Sequence, residues 1–138
     1  LNDENVFLEQ ISANKATSSL DLIDKIDEWA VEKQLHFKYN DGKTATRQYR
    51  LDNDKNTLLC STTSKGEISF RLGELNKILS IEAYKDLFTF LETTFGNTIF
   101  AKPKSEEAGP QFASILVSNI TQTELNKLLE QFEIIFEL

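Results

Sequence analysis

The sequence is poor in the residues from which metal and covalent sites are built. It contains one cysteine, one histidine and five singly scattered glycines. A single cysteine excludes an internal disulfide, and with a single histidine any metal site would have to rely on carboxylates. No Asp or Glu group has the spacing of a calcium loop, and no glycine cluster opens a helix as a phosphate cradle requires. We therefore expect no metal and no cofactor.

Long apolar runs are also absent, since the longest lie near residues 115–117 and 134–136, far short of the roughly 18 residues that a membrane span needs. We expect a soluble protein without membrane contact.

The lone Cys60 follows two leucines, which predicts a small buried residue and favours a cytoplasmic location. The chain begins with Leu1 and contains no methionine. We therefore expect a fragment of a longer protein, from which a targeting segment could have been removed.

Charge is abundant and unevenly distributed. The net charge is −7, but residues 1–34 carry −5, residues 35–72 carry +3 and residues 73–138 carry −5. The middle of this acidic chain is basic. A surface for an anionic partner is therefore expected in residues 35–72.

Length and hydrophobic periodicity predict one α+β domain over residues 1–138. Apolar spacing indicates helices at 3–13 and 19–34, a third from a Ser80 cap to Gly96, and a fourth from 122, where Thr121 and Glu124 form a capping box. Residues 132–138, at the end of the fourth helix, also fit the alternation of a strand, although the helix is favoured. Alternating residues predict an antiparallel meander of four strands, at 35–39, 45–51, 57–62 and 67–72, with helices on its apolar face. Two short strands are predicted to follow, at 98–101 and 112–118.

The alternation separates a polar sheet face from an apolar one. Phe37, Tyr49 and Phe70 fall on the apolar face, as expected of core residues. Arg47 falls there too, so it should lie at the sheet margin or pair with an acid from a flanking helix. The candidate residues for an anionic partner, on the polar face or in a turn, are Lys38, Lys43, Gln48, Arg50 and Arg71.

Binding of single-stranded nucleic acid across this polar face is one hypothesis. Phosphates need such cations, but base stacking needs aromatic rings, which are predicted on the other face. Four strands followed by a helix over residues 35–95 resemble in outline the whirly and Pur types of single-stranded DNA-binding domain. That resemblance rests on element order alone, and a net charge of −7 opposes binding to a polyanion.

The favoured hypothesis is a non-enzymatic domain that acts through contacts with a protein partner or a neighbouring domain. The candidate interface residues are Asp24, Asp27 and Glu28, on the acidic side of the second helix, and Phe90, which lies off the main apolar stripe of its helix. A nucleophilic pair of Cys60 and His36 would need an exposed sulfur and a third, orienting group. We expect instead a buried cysteine and an exposed strand histidine.

Overall fold

The computed structural model describes all residues from 1 to 138 and contains five helices and five strands. The helices are α1 (Glu4–Ala13), α2 (Leu20–Glu32), α3 (Leu72–Ile78), α4 (Ile81–Phe95) and α5 (Gln122–Phe136). The strands are β1 (His36–Tyr39), β2 (Thr46–Arg50), β3 (Leu58–Thr63), β4 (Glu67–Phe70) and β5 (Ala113–Leu116). Short 3-10 helices occupy Thr17–Ser19, Asn97–Ile99 and Val117–Asn119.

The strands form one antiparallel meander in the order β1-β2-β3-β4-β5. The predicted α+β class, with its meander and helices on one face, is confirmed. β5 extends the predicted four strands to five by pairing along β4, where Ser69 lies opposite Ser114. Local side-chain chemistry closes the first turn, because the Asn40 amide donates to the Thr44 carbonyl at 2.9 Å and its oxygen accepts from the Thr46 N–H at 2.8 Å.

Two expectations about local structure were wrong. Residues 98–101 do not form a strand, since a 3-10 helix ends at Ile99 and only Phe100 bridges to Ala113. Leu72 is not the end of a strand but the first residue of α3. The spacing of Phe70 and Leu72 continues the strand alternation, and a helix as short as α3 displays too few turns to reveal its own period.

The two helices with predicted N-terminal caps formed as expected. The Ser80 side chain accepts from the Ala83 N–H at 3.1 Å, and Thr121 and Glu124 make the reciprocal capping box of α5. The C-terminal segment is therefore helical. The buried face of α4 includes Leu87 and Leu91, whereas Ile81, the first residue of the helix, is exposed.

The core lies between one face of the sheet and the helices. All five helices bury side chains in a single cluster of 25 residues that includes Tyr49, Cys60 and Ile68 from the strands. The opposite face therefore has no helix layer. We call it the outer face and define it by its row of mutually opposed residues, Lys38, Gln48, Ser61, Ser69 and Ser114, together with the residues two positions away on β1, β2, β4 and β5. On β3 a bulge breaks the alternation, so Leu59 lies in the core.

Candidate binding surface on the outer face

The centre of the outer face is polar but shielded from solvent. Only 5% of Gln48 and 4% of Ser61 is exposed. The Arg50 side chain lies along the strand and donates from Nε and Nη2 to Gln48 Oε1 at 3.0 and 2.8 Å. Similarly, Thr63 Oγ1 donates to Glu67 Oε1 at 3.2 Å. These long side chains lie flat over smaller ones, and the surface is available to a partner mainly at its two margins.

One margin is the apolar edge at β5. Ala113 and Ile115 are buried in the core, whereas Phe112 and Leu116 project outward and are 57% and 48% exposed. β5 pairs with β4 alone. Its first residues are covered, because the Ala101 N–H donates to the Phe112 carbonyl at 2.9 Å. The bridge between Phe100 and Ala113 extends this cover to the Ser114 N–H, and beyond it no strand pairs with the edge.

A groove of about 300 Å³ runs beside this open edge. Its walls are the C-terminal end of α4, the 3-10 helix that follows and β5, and they include Phe95, Ile99 and Leu116. Because strand backbone groups alternate in direction, the outward carbonyl of Phe112 implies that the N–H and C=O groups of Ser114 and Leu116 also point away from β4. Of these groups, the Ser114 C=O and the Leu116 N–H face the groove without a strand partner, whereas the bridge between Phe100 and Ala113 uses the Ser114 N–H and the following 3-10 helix uses the Leu116 C=O.

The other margin is a cationic cleft of about 330 Å³ between β2, the β2–β3 connection and α3. Its charged lining residues are Arg50, Lys55, Arg71, Lys77 and Glu74. A single ion pair occurs among them, between Arg71 Nη1 and Glu74 Oε2 at 3.6 Å. Three cations therefore have no acidic partner in the cleft.

Arg50 is held in a defined position within this cleft. Besides its two bonds to Gln48, it donates from Nη1 to the Asn56 carbonyl at 2.7 Å. Burial lowers the pKa of Arg50, and the nearby positive charge of Arg71 lowers it further, against the opposing charge of Glu74. The guanidinium thus lies in surroundings that disfavour its charge, and it forms no ion pair with a carboxylate.

The structure brings most of the predicted anion-binding residues together. Lys38, Gln48 and Arg50 share the outer face, and Arg71 lines the cleft at its end. Lys43 does not join them, because it lies in the β1–β2 connection, at the end of β2 opposite Arg50. Its main-chain carbonyl accepts from Gln10 Nε2 at 3.0 Å.

Sequence reasoning missed two residues of this surface. Lys77 belongs to α3, which the periodicity did not reveal, and it reaches the cleft only because that helix packs at the end of the sheet. Phe112 was included in a predicted strand but was not assigned to the polar face. Its place on the outer face follows from the burial of the next residue, Ala113, which no local pattern of the sequence shows.

Asp27, one of the candidate interface residues, is largely buried and already paired within the fold. Its carboxylate pairs with Arg47 Nη1 and accepts from the Tyr49 hydroxyl at 2.6 Å. The prediction that Arg47 pairs with an acid from a flanking helix is confirmed. Burial lowers the pKa of Arg47, but the charge of Asp27 and the hydrogen bond with Tyr39 outweigh it and hold that pKa above its usual value.

The other candidate interface residues lie away from the outer face. Asp24 and Glu28 are exposed on α2. Phe90 is half-buried against the core, with its ring centroid 6.2 Å from that of Phe95 in an edge-on arrangement. Its position off the predicted stripe therefore reflects a wider buried face on α4.

The Cys60 and His36 side chains cannot act as a nucleophilic pair. Cys60 lies opposite Tyr49 on the core face, whereas His36 lies opposite Arg50 at the end of the outer face. Burial raises the pKa of Cys60 to about 12, so the sulfur is a thiol at neutral pH and not a nucleophilic thiolate.

No group of three His, Cys, Asp or Glu side chains is placed to hold a metal ion. None of the helices has both the length and the apolar character that spanning a bilayer requires.

Comparisons with protein-family models, curated proteins and solved structures find no match to the chain.

Proposed function

We propose that this is a non-enzymatic binding domain that engages an extended segment of a protein partner along β5 and the adjoining outer face. The observation that carries the proposal is the exposure of Phe112 and Leu116, at 57% and 48%, on the face of the sheet that no helix covers. Large apolar side chains placed together at an uncovered edge favour a protein contact.

The backbone of β5 supports an added strand. The Ser114 C=O and the Leu116 N–H have no strand partner and lie beside a groove of about 300 Å³, which is of a size to accept side chains of a bound segment. An extended peptide that pairs with a sheet edge gains affinity from main-chain hydrogen bonds and specificity from alternate side chains seated in pockets. An open edge without charged side chains is otherwise a site of aggregation.

Selection from a displayed random-peptide library tests this proposal. Peptides should be enriched on the wild-type protein, and those peptides should lose at least tenfold in affinity for a Phe112→Ser, Leu116→Ser double variant. The matched control is Val31→Ser with Ile134→Ser, which removes two exposed apolar side chains from α2 and α5. Equal binding to both double variants, or no enrichment at all, would contradict the proposal.

Single-stranded nucleic acid is a second candidate ligand of the same face. The observation in its favour is that Arg71 and Phe112 line one cavity, which places a phosphate-binding cation beside an exposed ring. Fluorescence anisotropy with labelled single-stranded and duplex oligonucleotides, at low and physiological salt, distinguishes the two ligands. Saturable binding that weakens with salt and is lost in Arg50→Glu and Arg71→Glu variants would favour nucleic acid.

A further inference from the structure

Four cations from separate parts of the chain converge on the cleft at the α3 end of the outer face. Arg50 comes from β2, Lys55 from the β2–β3 connection, and Arg71 and Lys77 from the start and end of α3. Glu74 is the only acid among the lining residues. The cleft therefore carries an excess of three positive charges in an otherwise acidic protein.

The Arg50 guanidinium is held in place and keeps two N–H donors for an additional ligand. Three of the five N–H groups of an arginine side chain are used by Gln48 and Asn56. The two that remain are one on Nη1 and one on Nη2. Since the internal bonds fix the side chain, a bound oxyanion would not have to restrict its rotation.

The electrostatic environment favours occupation by an anion. Arg50 and Arg71 repel each other, and Arg71 meets Glu74 only at 3.6 Å. An anion between the two guanidinium groups would replace that repulsion with charge-assisted hydrogen bonds. The partly buried position of Arg50 weakens the screening by salt that makes exposed pairs ineffective.

We infer that this cleft is an anion-binding site for a phosphate group, and that, given the proposed function, this phosphate is carried by the bound protein segment. A phosphate monoester has three terminal oxygens and about −1.5 to −2 charge at neutral pH, which matches donors approaching from several directions better than one carboxylate does. Arg71 and Phe112 share a neighbouring cavity, so a segment lying across Phe112 leads directly into the cleft.

A peptide phosphate is favoured over a nucleic-acid backbone. The protein carries a net charge of −7, which opposes the approach of a polyanion but hardly that of a singly modified peptide. Among the aromatic rings of the strands, Tyr39, Tyr49 and Phe70 pack in or against the core. Phe37 is 37% exposed but lies opposite Tyr49, on the same side of the sheet. Phe112 is then the one aromatic ring on the outer face that could stack on a base, whereas proteins that bind single-stranded nucleic acid stack successive bases on several rings.

The test is an amide-resolved NMR titration of the intact chain with inorganic phosphate, using sodium chloride of equal ionic strength as the reference. Saturable shifts are expected at Asn56, Thr57 and the amides of α3, and an Arg50→Gln, Arg71→Gln double variant should weaken binding at least tenfold. Lys43→Gln, which removes a cation from the far end of β2, is the matched control and should bind as the wild type does. If the arginine double variant fails to fold, Lys55→Gln with Lys77→Gln provides the same comparison at exposed positions.

Further arms of the titration identify the source of the phosphate. A phosphoserine peptide should bind more tightly than its serine counterpart, and a single-stranded oligonucleotide should give no additional shifts beyond the cleft. Shifts that chloride reproduces, or shifts scattered over all surface lysines, would overturn the inference. An oligonucleotide that binds more tightly than the phosphopeptide would overturn its assignment to a protein segment.

Failure of this inference is distinguishable from failure of the proposed function. Phosphate binding without any peptide selected on β5 would leave the anion site in place and remove the proposed partner. Selection of peptides whose binding requires Phe112 and Leu116, together with an absence of phosphate-induced shifts, would support the protein partner and remove the anion site.

Discussion

The guanidinium of Arg47 on β2 forms an ion pair with the carboxylate of Asp27 on α2 inside the interface between sheet and helices. Only 5% of the arginine side chain and 20% of the aspartate side chain is exposed. The same guanidinium lies 4.5 Å from the centre of the Phe7 ring and donates to the Tyr39 hydroxyl at 3.0 Å. One charged side chain therefore joins α1, α2 and two strands.

Asp27→Ala should destabilise the fold by about 2–3 kcal/mol, because it leaves the buried Arg47 with only the exposed Glu4 carboxylate, 3.8 Å away, as a counterion and leaves Tyr49 without its carboxylate acceptor. Urea denaturation measures this free energy of unfolding. Asp24→Ala is the matched control on the same helix, at an exposed position, and should change stability by no more than about 0.5 kcal/mol. Equal effects of the two substitutions would show that the pair with Arg47 contributes nothing.

Gly66→Ala should be more costly than Gly109→Ala. Both glycines have positive φ, at 79° and 67°, so both substitutions carry about 1–2 kcal/mol of backbone strain. At Gly66 a Cβ atom would also lie 2.7 Å from Oγ of Ser19, whereas at Gly109 it would meet nothing within 4 Å. The clash should add about 1–3 kcal/mol. Denaturation curves that coincide for the two variants would refute a steric role for the contact of Gly66 with Ser19.

Thr121→Ala should lower stability by about 1 kcal/mol, because the Thr121 hydroxyl accepts from the Glu124 N–H at 3.1 Å at the start of α5 and alanine cannot cap. Thr123→Ala changes the same residue type within the first turn, where alanine is the better helix former. It should leave stability unchanged or slightly higher. Loss of stability from both substitutions would indicate that the capping box is not the cause.

Cys60 should make stability decrease with pH in the alkaline range. Burial raises the pKa of the thiol from 9.0 to about 12. Between these values the folded state keeps a proton that the unfolded chain releases, so the free energy of unfolding falls as pH rises, by up to about 1.4 kcal/mol per pH unit. Cys60→Ala removes this contribution, and its stability should decline less steeply than that of the wild type.

Comparison of slopes separates this titration from the small cavity that Cys60→Ala leaves, because the cavity lowers stability by the same amount at every pH. A thiol reagent provides an independent check. The native protein should react only at the rate at which it unfolds, whereas the denatured chain should react at once. Rapid labelling under native conditions would contradict the burial of Cys60.

Much of the fold could be read from the sequence because its signals are local. The alternation of Phe37 and Tyr39, the cap at Ser80 and the capping box at Thr121 each act within a few residues, and each formed the element predicted for it. The failures occurred where a segment was too short to display a period. Residues 98–101 and α3 are the examples.

The candidate site was predictable in part for the same reason. Strand alternation placed Lys38, Gln48 and Arg50 on one face, and the register confirms that placement. The contribution of Lys77 depends on how α3 packs against the end of the sheet, which no local pattern contains. Likewise, Phe112 became a surface residue only when Ala113 paired with Phe70 on the core side.

The α+β class, the strand alternation and the capped helices follow from local sequence, because backbone propensity and hydrophobic period act between near neighbours. Which charges meet depends on how the helices and the sheet pack. Asp27 and Arg47 are 20 residues apart in the chain yet form a buried pair, while Arg50 and Arg71 share a cleft in which only Arg71 pairs with an acid, Glu74. Pairing of charges depends on distances across the fold, and those are set only when the helices pack on the sheet.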